Sequence, residues 1–133
     1  RLPPEQVVDQ QLRDATAHSA RIAPEAVAAA VAETRRRMRG ADWSAAQRSQ
    51  WQAILGVMGL LVRPAAMARR LAPLRLPVLW LQGEDDPKAP AATARSWAAA
   101  RTDWVLRTVA GTGHVPHLED PAWTARTIEE WLG

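Results

Sequence analysis

Three carboxylates stand in a row in Gly83-Glu84-Asp85-Asp86-Pro87, and a histidine ends Gly111-Thr112-Gly113-His114. A carboxylate bonded to one ring nitrogen of a histidine fixes the tautomer, and it stabilises the cation formed when the other nitrogen takes a proton. An acid and an imidazole on neighbouring loops are therefore the makings of a general base. What such a pair activates is a nucleophile, and the sequence supplies no obvious one. There is no cysteine, and none of Ser19, Ser44, Ser49 or Ser96 lies in a G-x-S-x-G turn. Only His18, His114 and His117 supply imidazole, and no pair has helical ligand spacing, so no metal site is expected. No cofactor is expected either.

The two loops need elements that bring them together. Pro77-Val78-Leu79-Trp80-Leu81 is a continuous apolar run ending near Gly83, too short for a helix and suited to a parallel strand covered on both faces. Pro90 opens an alanine-rich helix to about Ala100. Trp104-Val105-Leu106-Arg107-Thr108-Val109 is β-prone and partly polar, as near a sheet edge. Asp120 and Pro121 are an N-cap and first-turn pair for a last helix, with Trp123, Thr127 and Trp131 along one face. The order strand, helix, strand, helix predicts an α/β fold with a right-handed parallel crossover. Reactive groups then gather on the loops leaving the carboxyl ends of the strands. Parallel neighbours lie about 4.8 Å apart, within reach for a carboxylate and an imidazole.

Residues 1 to about 73 read as helical. Pro24 and Glu25 open a helix with Val27, Val31, Thr34 and Met38 on one face, and Gly40 stops it. Ser44 with Gln47 predicts a capping box for the next helix. That helix carries Trp51, Leu55, Met58 and Val62 in one row, widened by Ile54, Val57 and Leu61. So wide an apolar surface is either buried between layers or lines a cavity. Gly56 and Gly59 weaken the helix intrinsically, which predicts a close neighbour against it. A short helix follows at about 64 to 72.

The run from Pro77 through Pro87 resembles the penultimate strand and acid loop of α/β-hydrolases. Gly111-Thr112-Gly113-His114-Val115-Pro116-His117-Leu118-Glu119-Asp120-Pro121 resembles their histidine loop. The resemblance is firm from about Leu71 to Leu132. It implies that Asp86, third after the glycine, is the triad acid, with Asp85 the competing position, and that His114 is the triad histidine. It also implies a helical cap over residues 1–73 and a C-terminal core segment over 74–133. Trp51, Ile54 and Met58 on the cap, with Ala89 and Val115 beside the two loops, are the candidate substrate contacts. For those three cap residues, simple core packing is the competing expectation.

In that family the nucleophile precedes the acid and the histidine, on an earlier strand. This chain shows no such elbow and starts at Arg1, so it reads as cropped. The N-terminal half, or a second copy, is expected to cover the sheet edge. The implied substrates are esters, lactones and other small carbonyl compounds, with a nucleophile upstream of Arg1 and a fragment inactive by itself. An aspartate nucleophile, as in epoxide hydrolases and haloalkane dehalogenases, is a variant. A non-catalytic binding protein on the same scaffold is the reading from another class.

Composition removes other classes. The chain has 133 residues, 47% hydrophobic and 23% charged, and a net charge of +3, as in a soluble globular protein. Its basic run, Arg35 to Arg37 with Arg39, opposes the negative end of a helix dipole and has no aromatic partner for stacking on bases, so no nucleic acid is expected. The longest apolar run, Ala53 to Val62, falls short of the roughly 20 residues a membrane span needs. Absence of cysteine suits a reducing cytoplasm. His117 is expected to pack on the last helix, His18 to sit solvated in a helix, and Glu119 to satisfy free amides at a helix start.

Overall fold

The computed structural model describes residues 2–40, 43–61 and 63–133, with the side chains of residues 58–61 and 64 outside that description. Contacts divide the chain into two compact units, one comprising Arg1–Thr34 and Pro77–Gly133, the other Arg35–Leu76. The sequence reading drew its boundary at residue 73 alone. By contacts, the first 34 residues go with the segment that carries the two loops.

In the first unit, Pro4 opens helix α1 (Pro4–Ala15), which has Glu5 in its first turn and Arg13 in its last, both favourable to the helix dipole. Thr16 ends it, with its amide and hydroxyl both donating to the Leu12 carbonyl. A single turn of tighter helix follows at Ser19–Arg21. Helix α2 (Pro24–Arg39) then begins. Its start at Pro24 and its stop before Gly40 are those the sequence predicts.

Strand β1 (Val78–Gly83) pairs in parallel with β2 (Trp104–Val109), from Val78 opposite Trp104 to Gly83 opposite Val109. Helix α5 (Ala91–Ala99) joins them and packs on both strands. The one-turn helix α6 (Pro116–Glu119) and helix α7 (Pro121–Leu132) pack on β1. Asp120 Oδ1 accepts the amide of Trp123 at 2.9 Å, the expected cap. The strand–helix–strand–helix order is thus present, and the fold is α/β. Val78 to Leu81 are only half-buried, however, unlike a strand covered on both faces, because α5, α6 and α7 leave part of their surface open.

The best-buried residues of this unit are as much polar as apolar. Val8, Ile22, Ala91 and Ala94 are buried, and so are Thr16, Gln82, Thr112, Glu119, Thr124 and Thr127. Most buried polar groups in proteins are hydrogen-bonded; Thr16, Gln82 and Glu119 are, whereas the Thr124 hydroxyl is buried without a partner among the described residues. Trp104 stacks obliquely on Trp80 at 6.0 Å and takes the Arg101 guanidinium over its ring at 5.0 Å.

The second unit contains helices α3 (Trp43–Leu61) and α4 (Pro64–Leu71), which contact each other. Ser44 lies inside helix α3 with Trp43 already helical before it, so it is not the cap of a capping box. Trp51, Ile54, Leu55 and Val57 are exposed. A Cβ built on Gly56 meets nothing within 4 Å, so no close neighbour explains that glycine. The expectations on Met58, Leu61 and Val62, and on what would face Gly59, lie outside the described residues. Among the described residues, no helix is long and apolar enough to cross a membrane.

Candidate active site

Parallel pairing puts the carboxyl ends of β1 and β2 side by side, so the loops after Gly83 and Val109 leave together. Backbone bonds hold them in step. The Glu84 amide donates to Val109 O at 2.9 Å and the Asp85 amide to Thr112 O at 3.1 Å. Gly83 permits the approach: a Cβ there would stand 2.1 Å from the Gly113 carbonyl oxygen and 2.2 Å from that of Thr112. Gly111 has φ +66, the left-handed turn that glycine adopts without strain.

Across this junction His114 Nδ1 meets Asp86 Oδ2 at 2.9 Å. The Asp86 side chain is 5% exposed and that of His114 45%. Asp86 Oδ1 accepts the amides of Lys88 at 2.7 Å and Ala89 at 2.9 Å, folding the acid loop around the carboxylate. Burial by itself pushes the Asp86 carboxyl up; the bond from His114 and the amides of Ala89 and Lys88 outweigh it and hold the group below its ordinary value. Asp86 is therefore an ionised acceptor at neutral pH, and Nδ1 is the donor. Among the described residues, His114 Nε2 has no hydrogen-bond partner.

Asp85 is exposed and meets the histidine loop through its amide alone. Glu84 turns outward to Arg95 at 3.0 Å. Ala89 is half-buried and supplies an amide to Asp86; Val115 is half-buried directly after His114. Trp51, 64% exposed, and Ile54 belong to the other unit, on α3. The structure thus brings together Asp86, His114, Ala89 and Val115.

Gln82 is a residue of the site that the sequence does not single out, and Glu119 is one whose place differs from the expected one. Gln82, 3% exposed at the end of β1, turns Nε2 toward Asp86 Oδ2 at 3.1 Å and toward the carbonyls of Gly83 and Ala89, both at 2.9 Å. An amide at the end of an otherwise apolar strand was a usable signal, since a buried polar group needs partners. Glu119, 6% exposed, was expected at a helix start. Instead it accepts the amides of Ala17 at 2.9 Å, His18 at 3.1 Å and Gly113 at 2.8 Å. Those donors lie in the turn after α1 and in the histidine loop, a convergence that spacing along the chain does not reveal. His117 is exposed, contrary to a packed position against α7, and His18 precedes the short turn instead of sitting in a helix.

Comparison with curated proteins and with solved structures gives no match. The family model described as "Alpha/beta hydrolase family" matches residues 2–127, and the chain belongs to that family.

Proposed function

We propose that this chain contributes the acid, Asp86, and the general base, His114, of a hydrolase acting on esters or related small carbonyl compounds. The observation that carries the reading is the bond from His114 Nδ1 to a buried Asp86, with the imidazole nearly half exposed beyond it. That arrangement orients the ring and leaves Nε2 without a partner among the described residues. A serine in a strand–turn–helix elbow upstream of Arg1 would lose its proton to Nε2 while attacking the acyl carbon. His114 then passes the proton to the leaving group, later draws one from the water that attacks the acyl carbon, and returns it to the serine oxygen as the acid departs. Ala89 and Val115, flanking the two loops, line the acyl site. The outer strand edges, unpaired among the described residues, are covered by further strands of the protein or by a second copy.

The test is a serine-directed covalent probe applied to the full-length protein. Labelling that disappears in His114→Ala supports the reading. A reactive elbow aspartate in place of serine would move the protein to the epoxide-hydrolase type, in which His114 activates only water. The absence of any G-x-S-x-G in these 133 residues favours one second reading, a binding protein on the same scaffold. An upstream region without a nucleophile would establish it.

A further inference from the structure

Glu119 is a buried carboxylate that touches neither Asp86 nor the imidazole of His114. Its oxygens divide between two chain segments, Oε1 on the Gly113 amide and Oε2 on the amides of Ala17 and His18. Ala17 and Glu119 are 102 residues apart in sequence. Both segments bear directly on the backbone of His114. Gly113 immediately precedes it, and the His114 amide donates to the Ala15 carbonyl at 2.7 Å.

The fit is close. A Cβ on Gly113 would lie 2.6 Å from Ala17 N and 2.8 Å from Ala15 O, so the turn after α1 presses on the bare Cα of the residue before the histidine. Arg21 adds an outer tie, with Nη1 donating to Gly111 O at 2.9 Å. A carboxyl group taken out of water must keep its oxygens hydrogen-bonded. Here three backbone amides do so, and the same bonds hold the two segments together. The contact of Nδ1 with Asp86 depends on where the His114 backbone sits, and that position is set from this side.

We propose that Glu119 is a positioning residue for His114: its buried carboxylate clamps the histidine loop to residues 15–18 and thereby keeps Nδ1 on Asp86. The functional meaning rests on reading His114 as the general base, but the positioning is measurable without turnover.

The experiment follows the imidazole of His114 in the full chain by two-bond proton–nitrogen NMR correlation, at a pH high enough for a neutral ring. Wild type should be mainly the Nδ1–H tautomer, because an ionised Asp86 accepts at Nδ1. Glu119→Gln keeps the volume, yet its NH2 must face at least one backbone N–H, so one side of the clamp opens. The ratio of Nδ1–H to Nε2–H should fall at least about two-fold, toward the solvated imidazole. Asp120→Ala serves as the matched destabilised control, since it removes only the cap on Trp123, and it should keep the wild-type ratio. A folded Glu119→Gln chain with the wild-type ratio overturns the proposal, as does an equal shift in Asp120→Ala. If Glu119→Gln does not fold, Arg21→Ala decides. A smaller shift in the same direction supports the clamp, and an unchanged ratio overturns it. Failure of the serine probe together with a shifted tautomer would remove the serine-hydrolase reading and leave the role of Glu119 standing.

Discussion

Gly83 and Gly113 meet backbone to backbone: a Cβ on the first would lie 2.1 Å from the carbonyl oxygen of the second. The acid loop and the histidine loop are in contact at the one point where neither has a side chain, and the Asp86–His114 bond spans the same junction. Both glycines face backbone, which cannot move aside as the end of a flexible side chain can.

Gly83→Ala and Gly113→Ala should therefore each lower stability by about 3 kcal/mol or more, at the upper end of overpacking effects. Urea denaturation reads this directly. Gly56→Ala should act in the opposite sense. It lies within α3 with open space where the methyl would go, and should raise the stability of that helix by about 0.5–1 kcal/mol. An equal response at all three positions would show that these close approaches have no energetic weight.

Asp86→Asn leaves the shape of the acid loop but removes the ionised acceptor for Nδ1. On the proposed hydrolase reading, turnover should fall by about 10⁴-fold, the scale seen when a triad histidine loses its orienting carboxylate. Steady-state kinetics on a chromogenic ester checks it, and near-normal turnover rejects Asp86 as the triad acid. Asp85→Asn should leave turnover within a few-fold of wild type, since Asp85 meets the histidine loop through its backbone amide and not its side chain.

The carboxyl of Asp86 is held below its ordinary value of 3.8. The native state thus binds this proton less readily than the unfolded chain. The stabilisation is fully present above about pH 4–5 and is lost as pH falls through the lower native value. Denaturation midpoints for wild type and Asp86→Asn, measured from pH 6 down to pH 2, should converge as the pH falls. A gap that stays constant across that range would mean that Asp86 contributes through neutral contacts alone.

Asp120→Ala should cost about 1 kcal/mol through loss of the cap on Trp123, whereas Asp120→Asn should stay within a few tenths. Thermal denaturation distinguishes the two.

Much of this was legible in the sequence because its causes are local. The apolar run into Gly83, the β-prone run from Trp104 and the Asp120-Pro121 helix start each act through their own residues and immediate neighbours. The pairing of Asp86 with His114 was legible too, since parallel strands send both loops out at the same end. What stayed hidden depends on distant backbone. Glu119 sits one residue before a helix cap and looks like a helix-start anion; only the return of residues 15–18 to the histidine loop gives it three amides. The capping box at Ser44 misled because spacing alone does not say which residue is outside the helix. Gly56 misled because a glycine in a helix need not have a neighbour.

The bonds from Glu119 to Ala17 and His18 also have a temporal consequence. Joining positions 102 residues apart adds little equilibrium penalty, since loop-closure entropy grows by only about 0.6 kcal/mol per doubling of length, but such distant contacts are slow to find. At translation rates of about 5–20 residues per second, the amides of Ala17 and His18 are made some 5–20 s before their acceptor exists. Nothing nearer in the chain replaces Glu119 in these bonds. The seat of His114 is therefore assembled only when synthesis has passed the histidine loop, well after the residues of α1 have been made.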